Sequence, residues 1–188
     1  MDPRMREDDE ARRHDALALG MFLLSLFFQL MLSSPAEARL IQPKDQALKE
    51  IFGDEAYTRK EVFLSDEQKS LIEEKSKSKL DSKLLVYYQS TQLQAFLDTH
   101  VVRTQPETAL IVINRKGQVE TIKITSFNEP LDYLPPARWL GLFRAKEFSE
   151  RLWLKQDVDA IAGATFSSWA LVKAVRRSLV LHEIIGDV

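Results

Sequence analysis

The chain has 188 residues with 45% hydrophobic content, enough to bury one core of ordinary size, so we expect one folded domain. Its formal net charge is −2, and residues 1–38 hold seven acidic against four basic residues, which leaves the remainder nearly neutral. This balance and the lack of a matching motif argue against a nucleic-acid partner. Without cysteine, thiolate nucleophiles, disulfides and cysteine-ligated clusters are excluded. His14, His100 and His182 lie far apart in sequence, so no metal site is predicted.

The first elements to be predicted are export signals. An uncharged apolar run, Ala16–Leu32, is followed by Ala36 and Ala38 at the small-residue positions of a cleavage site. The run is slightly shorter than the roughly 20 residues that span a bilayer. We therefore predict a signal peptide over residues 1–38 and a periplasmic or otherwise extracytoplasmic domain over residues 39–188. The acidic residues before the run are atypical of a signal peptide, so an uncleaved helix anchored in the inner membrane is the alternative.

Two amphipathic helices are predicted at the start of the exported part. The first, within DQALKEIFGDEA, ends at Gly53 and places four apolar residues on one face: Ala47, Leu48, Ile51 and Phe52. In the second, within LSDEQKSLIEEKSKSKL, Ser65 is a candidate N-cap and Gln68 completes a capping box. Leu71 and Ile72 supply its predicted apolar stripe.

A series of strands follows. The segments KLLVYYQS, THVVRT and TALIVINRKGQVETIKITSF are rich in the β-branched and aromatic residues that favour strands. Lys116 and Gly117 separate two apolar runs of the last segment and predict a hairpin turn. Because helical patterns precede and follow these strands, we predict an α+β fold with an antiparallel sheet and flanking helices.

The segment NEPLDYLPPARWLGLF interrupts the regular pattern. Its three prolines cannot donate backbone hydrogen bonds to a sheet, so it is predicted to be a loop. Tyr133, Trp139 and Phe143 give this loop a large aromatic surface. The loop therefore either packs onto the sheet or covers a ligand.

The last predicted element is a long helix that begins near Thr165. Its apolar stripe is formed by Trp169, Val172, Val175 and Leu179. Thr165 is either a simple N-cap or the attachment point of an anion, because a helix start presents free amides and a partial positive charge. Gly163 would allow close approach of the backbone to such an anion. Ser167 and Ser168 could donate further hydrogen bonds.

The segment DAIAGATFSS resembles the flavinylation motif of the FMN-binding domain family, which includes the C subunit of the sodium-pumping NADH:quinone reductase and the G subunit of the Rnf complex. GQVETIKITSFNEP is similar to the hairpin and glutamate loop of that family. DYLPPARWLGLF and ALVKAVRRSL resemble its small, single-domain exported members. The resemblance covers roughly residues 47–182.

The resemblance implies that FMN is joined through its phosphate to Thr165 by an ApbE-type flavin transferase. It further implies cofactor-site roles for residues of the motif and its neighbouring loop: Asp159, Gly163, Ala164, Ser167 and Glu129. Ser168 is a cofactor-site candidate only from its place at the helix start. Tyr133 and Trp139 are candidates to lie against the flavin ring, since large aromatic faces stack on flat π systems. Ala162 departs from the family, which has Ser or Thr there. The E-T-P-G-L-G loop of the large-complex subunits is also missing.

The resulting hypothesis is an exported flavoprotein with covalent FMN that transfers electrons between membrane or extracytoplasmic redox partners. On this hypothesis no residue is catalytic, because the flavin itself carries the redox chemistry. Two alternatives stay open. Ala162 favours a flavin-free scaffold module of a redox complex. The second alternative is a small reductase with dissociable FMN, but the sequence shows no substrate-side acid or base and no nicotinamide-binding fingerprint.

Overall fold

The computed structural model describes residues 40–186, so the predicted export segment and the boundary after Ala38 lie outside the described residues. In chain order the elements are α1 (Lys44–Phe52), β1 (Thr58–Phe63), α2 (Asp66–Ser76), β2 (Leu84–Gln89), β3 (Leu93–Val101), β4 (Pro106–Asn114), β5 (Val119–Phe127), α3 (Ala137–Leu140) and α4 (Thr165–Ile185). Two short 3-10 helices, Leu131–Tyr133 and Gly141–Phe143, flank α3.

The five strands form one antiparallel sheet in which each strand pairs with its neighbour in sequence. The hairpin predicted between β4 and β5 is confirmed, and Gly117 adopts φ +75° in its turn. Asn114 Oδ1 accepts hydrogen bonds from the backbone N–H groups of Lys116 at 3.0 Å and Gln118 at 3.2 Å, which closes the turn. The sheet and its helices confirm the predicted α+β class.

The two faces of the sheet carry separate apolar cores. Leu110 and Val112 of β4 contribute to the core that α1 covers, whereas the alternate residues Ile111 and Ile113 contribute to the core shared with α2 and α4. Three of the four residues predicted on the apolar face of α1 are buried: Ala47, Leu48 and Phe52. Strand alternation therefore assigns α1 and α4 to opposite sides of the sheet.

Helix α2 confirms the predicted capping box. The backbone N–H of Gln68 donates to Ser65 Oγ at 3.1 Å, and the backbone N–H of Ser65 donates to Gln68 Oε1 at 2.9 Å. The predicted stripe is only half right, because Ile72 is fully buried whereas Leu71 is 45% exposed. Adjacent positions on a helix lie about 100° apart, so a narrow contact buries only one of them.

Helix α4 is 21 residues long and supplies much of the core on its side of the sheet. Val172, Val175 and Leu179 of the predicted stripe are buried there. Trp169 is not: it is 40% exposed and contacts Trp153, with 5.5 Å between the ring centroids. The apolar stripe of α4 therefore begins one turn later than predicted.

Two strands differ from the sequence prediction. Strand β1 was not predicted, since it lies at the edge of the sheet and its residues are mostly exposed and polar. The segment THVVRT predicts a strand that begins at Thr99, but strand β3 begins earlier, at Leu93. Its polar residues Asp98 and His100 hide the strand pattern, because they are buried by pairing with other polar groups. The predicted loop after β5 contains α3 and the two 3-10 helices.

Candidate cofactor site at the start of helix α4

A cavity of about 140 Å³ lies beside the first turn of α4. Three segments that are distant in sequence line it: the turn between β3 and β4, the loop after β5, and the start of α4. The lining residues are Val102, Arg103, Glu129, Tyr133, Gly163, Ala164, Phe166 and Ser167. The fold therefore brings five of the nine predicted site residues to one cavity.

Thr165 is exposed and is the first residue of α4. Its interpretation as an N-cap is wrong, because Ala164 occupies that position with φ −119° and ψ 42°. Ala164 has no side-chain acceptor, and the helix start has no side-chain cap hydrogen bond. The first-turn amides of α4 thus lack the protection that Ser65 gives to α2.

Ser167 and Ser168 are both buried but differ in their hydrogen bonds. Ser167 is 1% exposed, lines the cavity and has no hydrogen-bond partner for its hydroxyl among the described residues. Ser168 Oγ donates to the Ala164 carbonyl at 3.0 Å and accepts from the Ile161 N–H at 3.1 Å. The expectation that Ser168 donates to a ligand is therefore corrected, since its proton already holds the loop before α4.

Gly163 lies in the left-handed region of backbone conformations, with φ +81°. A Cβ at this position would meet no atom within 4 Å, so steric crowding does not require glycine here. The backbone conformation does, because residues other than glycine adopt positive φ at an energetic cost. Gly163 turns the chain into α4 and leaves open space on the cavity side.

Glu129 fastens the turn between β3 and β4. Its Oε1 accepts hydrogen bonds from the backbone N–H groups of Thr104 at 2.9 Å and Gln105 at 3.1 Å. The bond from the Thr104 amide is the main reason that the pKa of Glu129 lies below its usual value. Glu129 therefore acts as an ionised clamp that holds one wall of the cavity.

The two aromatic candidates lie in different environments. Tyr133 is partly exposed and lines the cavity. Trp139 is 6% exposed, packs edge-on against Phe143 at 5.2 Å between ring centroids, and is not among the lining residues. Its indole N–H donates to the Asp159 carbonyl at 2.6 Å. The expected flavin contact of Trp139 is therefore replaced by a packing role.

Three positions of the motif lie outside the cavity lining: Asp159, Ala162 and Thr165 itself. Asp159 and Ala162 are both exposed. The hydrogen bond that Asp159 makes with Trp139 involves its backbone carbonyl and not its carboxylate. Asp159 and Ala162 thus lie on the surface of the loop that leads into α4, where an incoming protein can reach them.

Sequence reasoning missed Val102, Arg103 and Phe166, which also line the cavity. The Arg103 guanidinium lies 5.9 Å from the centroid of the Phe166 ring, and Phe166 is 62% exposed. This is within the range of a cation–π contact. Phe166 could have been noticed as an apolar residue facing away from the buried stripe of α4. Arg103 carries no such local signal, because only the fold brings it to the motif.

Other kinds of site are not found in the described part of the chain. Across residues 40–186, no cluster of three or more histidine, cysteine, aspartate or glutamate side chains could hold a metal ion. Within the same range, no helix has the length and apolar character needed to cross a membrane.

Residues 104–180 match the family model described as FMN-binding domain. The match includes β4, β5, the loop after β5 and most of α4, and therefore most of the cavity wall. No curated protein and no solved structure matches the chain. Over residues 104–180 the chain is thus similar to the FMN-binding domain family, and flavin binding is the role that this match supports.

Proposed function

We propose that this FMN-binding domain carries FMN joined covalently through its phosphate to Thr165 Oγ1, and that the loaded protein transfers electrons between membrane or extracytoplasmic redox partners. One arrangement carries the proposal. The exposed Thr165 hydroxyl stands at an uncapped helix start, two residues before Ser167, whose buried hydroxyl has no hydrogen-bond partner among the described residues.

The groups around Thr165 suit a phosphate in charge and in hydrogen bonding. The uncapped amides of α4 can donate to phosphate oxygens, and the helix dipole adds about half a positive charge at the same point. The Ser167 hydroxyl gains a partner if it also donates there, which removes the cost of a buried polar group without a hydrogen bond. Arg103, which also lines the cavity, supplies a full positive charge.

The cavity suits partial enclosure of a flavin. Its volume of about 140 Å³ lies below the roughly 300–1,000 Å³ of pockets that bury a ligand of this size. Tyr133 and Phe166 offer partly exposed aromatic faces beside it. FMN supplies one- and two-electron chemistry when bound, and a flavin left partly at the surface is accessible to redox partners.

Attachment by an ApbE-type transferase that uses FAD and magnesium is part of the proposal. Thr165 Oγ1 attacks the flavin-side phosphorus of FAD, the bond between the two phosphates breaks, AMP leaves, and the hydroxyl proton is lost. The exposure of Thr165, Asp159 and Ala162 supports recognition of this loop by an enzyme. Ala162 removes one hydroxyl that the family has there, so Ala162→Thr should be labelled faster.

The proposed location is the periplasm or another extracytoplasmic space. It rests on the apolar run Ala16–Leu32 and the small residues that follow it, all of which lie outside the described residues. A reporter fused to residues 1–45 should be exported, and intact mass should show whether the mature chain begins at Arg39. A cytoplasmic, full-length product would contradict the proposed location and the proposed place of flavin attachment.

The decisive experiment is co-production of the exported chain with a flavin transferase, followed by denaturation. The flavin should remain attached, because a phosphoester survives unfolding. The added mass should equal one FMN less one water and map to the peptide that contains AGATFSS. Thr165→Ala should abolish labelling completely, whereas Thr165→Ser keeps a hydroxyl and should retain it.

Ser167→Ala is the matched control, since it removes a neighbouring hydroxyl without removing the attachment atom and should still be labelled. Loss of flavin on denaturation would favour a reductase with dissociable FMN. A folded protein that is never labelled would favour the scaffold module. A label that persists in Thr165→Ala would show that another residue is the attachment point.

A further inference from the structure

A chain of four polar side chains lies between α4 and the sheet. Arg177 donates to both carboxylate oxygens of Asp98, from Nε at 3.0 Å and from Nη2 at 2.7 Å. His100 Nδ1 lies 2.8 Å from Asp98 Oδ1, and His100 Nε2 lies 3.9 Å from Glu107 Oε1. Arg177, His100 and Glu107 are buried, and 10% of the Asp98 side chain is exposed. Because buried ionisable groups must be paired and hydrogen-bonded, each of these side chains needs a defined protonation state.

One end of the chain has fixed charges. Burial alone would raise the pKa of Asp98, but the hydrogen bond from His100 and the charge of Arg177 lower it to about 2. Asp98 is thus an anion paired with the Arg177 cation. Because ionised Asp98 can only accept, the Nδ1 atom of His100 carries a proton.

The other end of the chain has no fixed charge. Both carboxylate oxygens of Glu107 and the Nε2 atom of His100 are buried and lack a hydrogen bond within the described residues. Burial raises the pKa of Glu107 to about 7. The charged groups that act on it are Asp98 and His100 of β3, with Arg177 of α4 behind them, while its partner on β5 is the apolar Phe127. Glu107 therefore binds a proton that it loses near neutral pH.

This pair lies next to the candidate cofactor cavity. His100 and Glu107 are directly paired across β3 and β4. The next pair, Val101 and Pro106, is the last one of this ladder. The turn that follows carries Val102 and Arg103, which line the cavity. The buried His100–Glu107 pair thus lies one rung of the ladder from the end of the two strands, and the turn that lines the cavity follows directly.

We propose that the His100–Glu107 pair is a proton-binding site that takes up one proton from solvent when a flavin in the neighbouring cavity is reduced. An electron from a one-electron reductant adds a negative charge to the flavin, and the proton adds a positive charge to the pair, so the local charge is unchanged. A negative charge nearby favours the protonated form of a buried acid. By linkage, protonation of the pair favours reduction to the same extent. The inference rests on the proposed flavin attachment.

The test is redox-difference infrared spectroscopy of the flavin-loaded, full-length protein at pH 7.5, after intact mass has established labelling at Thr165. Reduction with dithionite should produce a band of a protonated, buried carboxylic acid. This band should be absent in Glu107→Gln and shifted in Glu107→Asp, which also serves if the glutamine variant does not fold. The proton affinity of the pair should rise about tenfold on reduction, because the negative charge added to the flavin favours the protonated form of the pair.

Glu61→Gln on the edge strand β1 is the control and should leave the band unchanged. A labelled protein without this band, or with the same band in Glu107→Gln, would overturn the inference while leaving the flavin attachment intact. Failure to label any wild-type protein would overturn both.

Discussion

The two halves of helix α4 use their polar residues in opposite ways. In the second half, Arg176 and Arg177 are buried and each makes at least three hydrogen bonds to the surrounding protein. In the first turn, Thr165 is exposed, the Ser167 hydroxyl has no hydrogen-bond partner within residues 40–186, and Ala164 leaves the helix start uncapped. The polar residues of one half are paired by the fold, whereas those of the first turn leave hydrogen-bonding groups available to the proposed ligand.

We therefore expect substitutions in the two halves of α4 to affect different properties, which are the stability of the fold and the proposed attachment of flavin. Substitutions in the second half should lower the free energy of unfolding and leave labelling at Thr165 unchanged in the fraction that folds. Replacement of Thr165 in the first turn should do the reverse, and Ser168 in the same turn is an informative exception. Four substitutions test this expectation, and they are ordered from the largest expected effect to the smallest.

Arg177→Leu should lower the free energy of unfolding by about 3–5 kcal/mol, because it leaves Asp98 as a buried anion without its arginine partner. Urea denaturation measures this loss. The control is Arg151→Leu, whose side chain is largely exposed and pairs only at 3.6 Å with Asp157, so it should cost less than about 1 kcal/mol. Equal losses in the two variants would contradict the structural role of Arg177.

Glu107→Gln should change how stability depends on pH. The folded pKa of about 7 lies above the ordinary value of 4.5, so the protonated form favours the fold. This contribution is fully present below about pH 4.5 and is lost as pH rises through about 7. The loss amounts to as much as about 3 kcal/mol in the wild type and should be absent in the variant.

Urea midpoints at pH 5 and pH 8 measure this difference, and subtraction of the variant from the wild type removes the contribution of the other titrating groups. The two proteins should be similar at pH 5, and the variant should be the more stable one at pH 8. Parallel pH profiles would show that Glu107 does not titrate in this range.

Ser168→Ala should lower the free energy of unfolding by about 2 kcal/mol although the residue lies in the first turn of α4. It removes the hydroxyl that joins the Ile161 amide to the Ala164 carbonyl and leaves the amide without that acceptor. The folded fraction should still be labelled at Thr165. A variant with wild-type thermal stability would show that this pair of hydrogen bonds does not hold the loop.

Thr165→Ala should change stability by less than about 0.5 kcal/mol, because Thr165 is exposed and is not the cap of its helix. The matched variant is Ser65→Ala in α2, where a real capping box is lost and about 1 kcal/mol is expected. Thermal unfolding of the unlabelled proteins compares the two helix starts. A larger cost for Thr165→Ala than for Ser65→Ala would reverse the assignment of capped and uncapped ends.

The sequence by itself determined the features that depend on neighbours along the chain. Turn chemistry at Gly117, the capping box of Ser65 and Gln68, and the buried stripe of α4 from Val172 onward could be predicted, because each follows from a spacing of a few residues. The motif around Thr165 also pointed to the family that the match over residues 104–180 supports.

Only the tertiary structure decided which polar residues are already bound and which are free. The backbone angles of Ala164 made it the cap position in place of Thr165, and the loop before α4 engaged the Ser168 hydroxyl but not that of Ser167. Arg103 reaches the motif because antiparallel pairing ends beside it. Asp98 and His100 are held in a strand for a similar reason: Arg177, distant in sequence, compensates the charge of Asp98, and Asp98 in turn accepts a hydrogen bond from His100. Sequence spacing carries no record of such contacts, since they depend on how strands and helices pack in three dimensions.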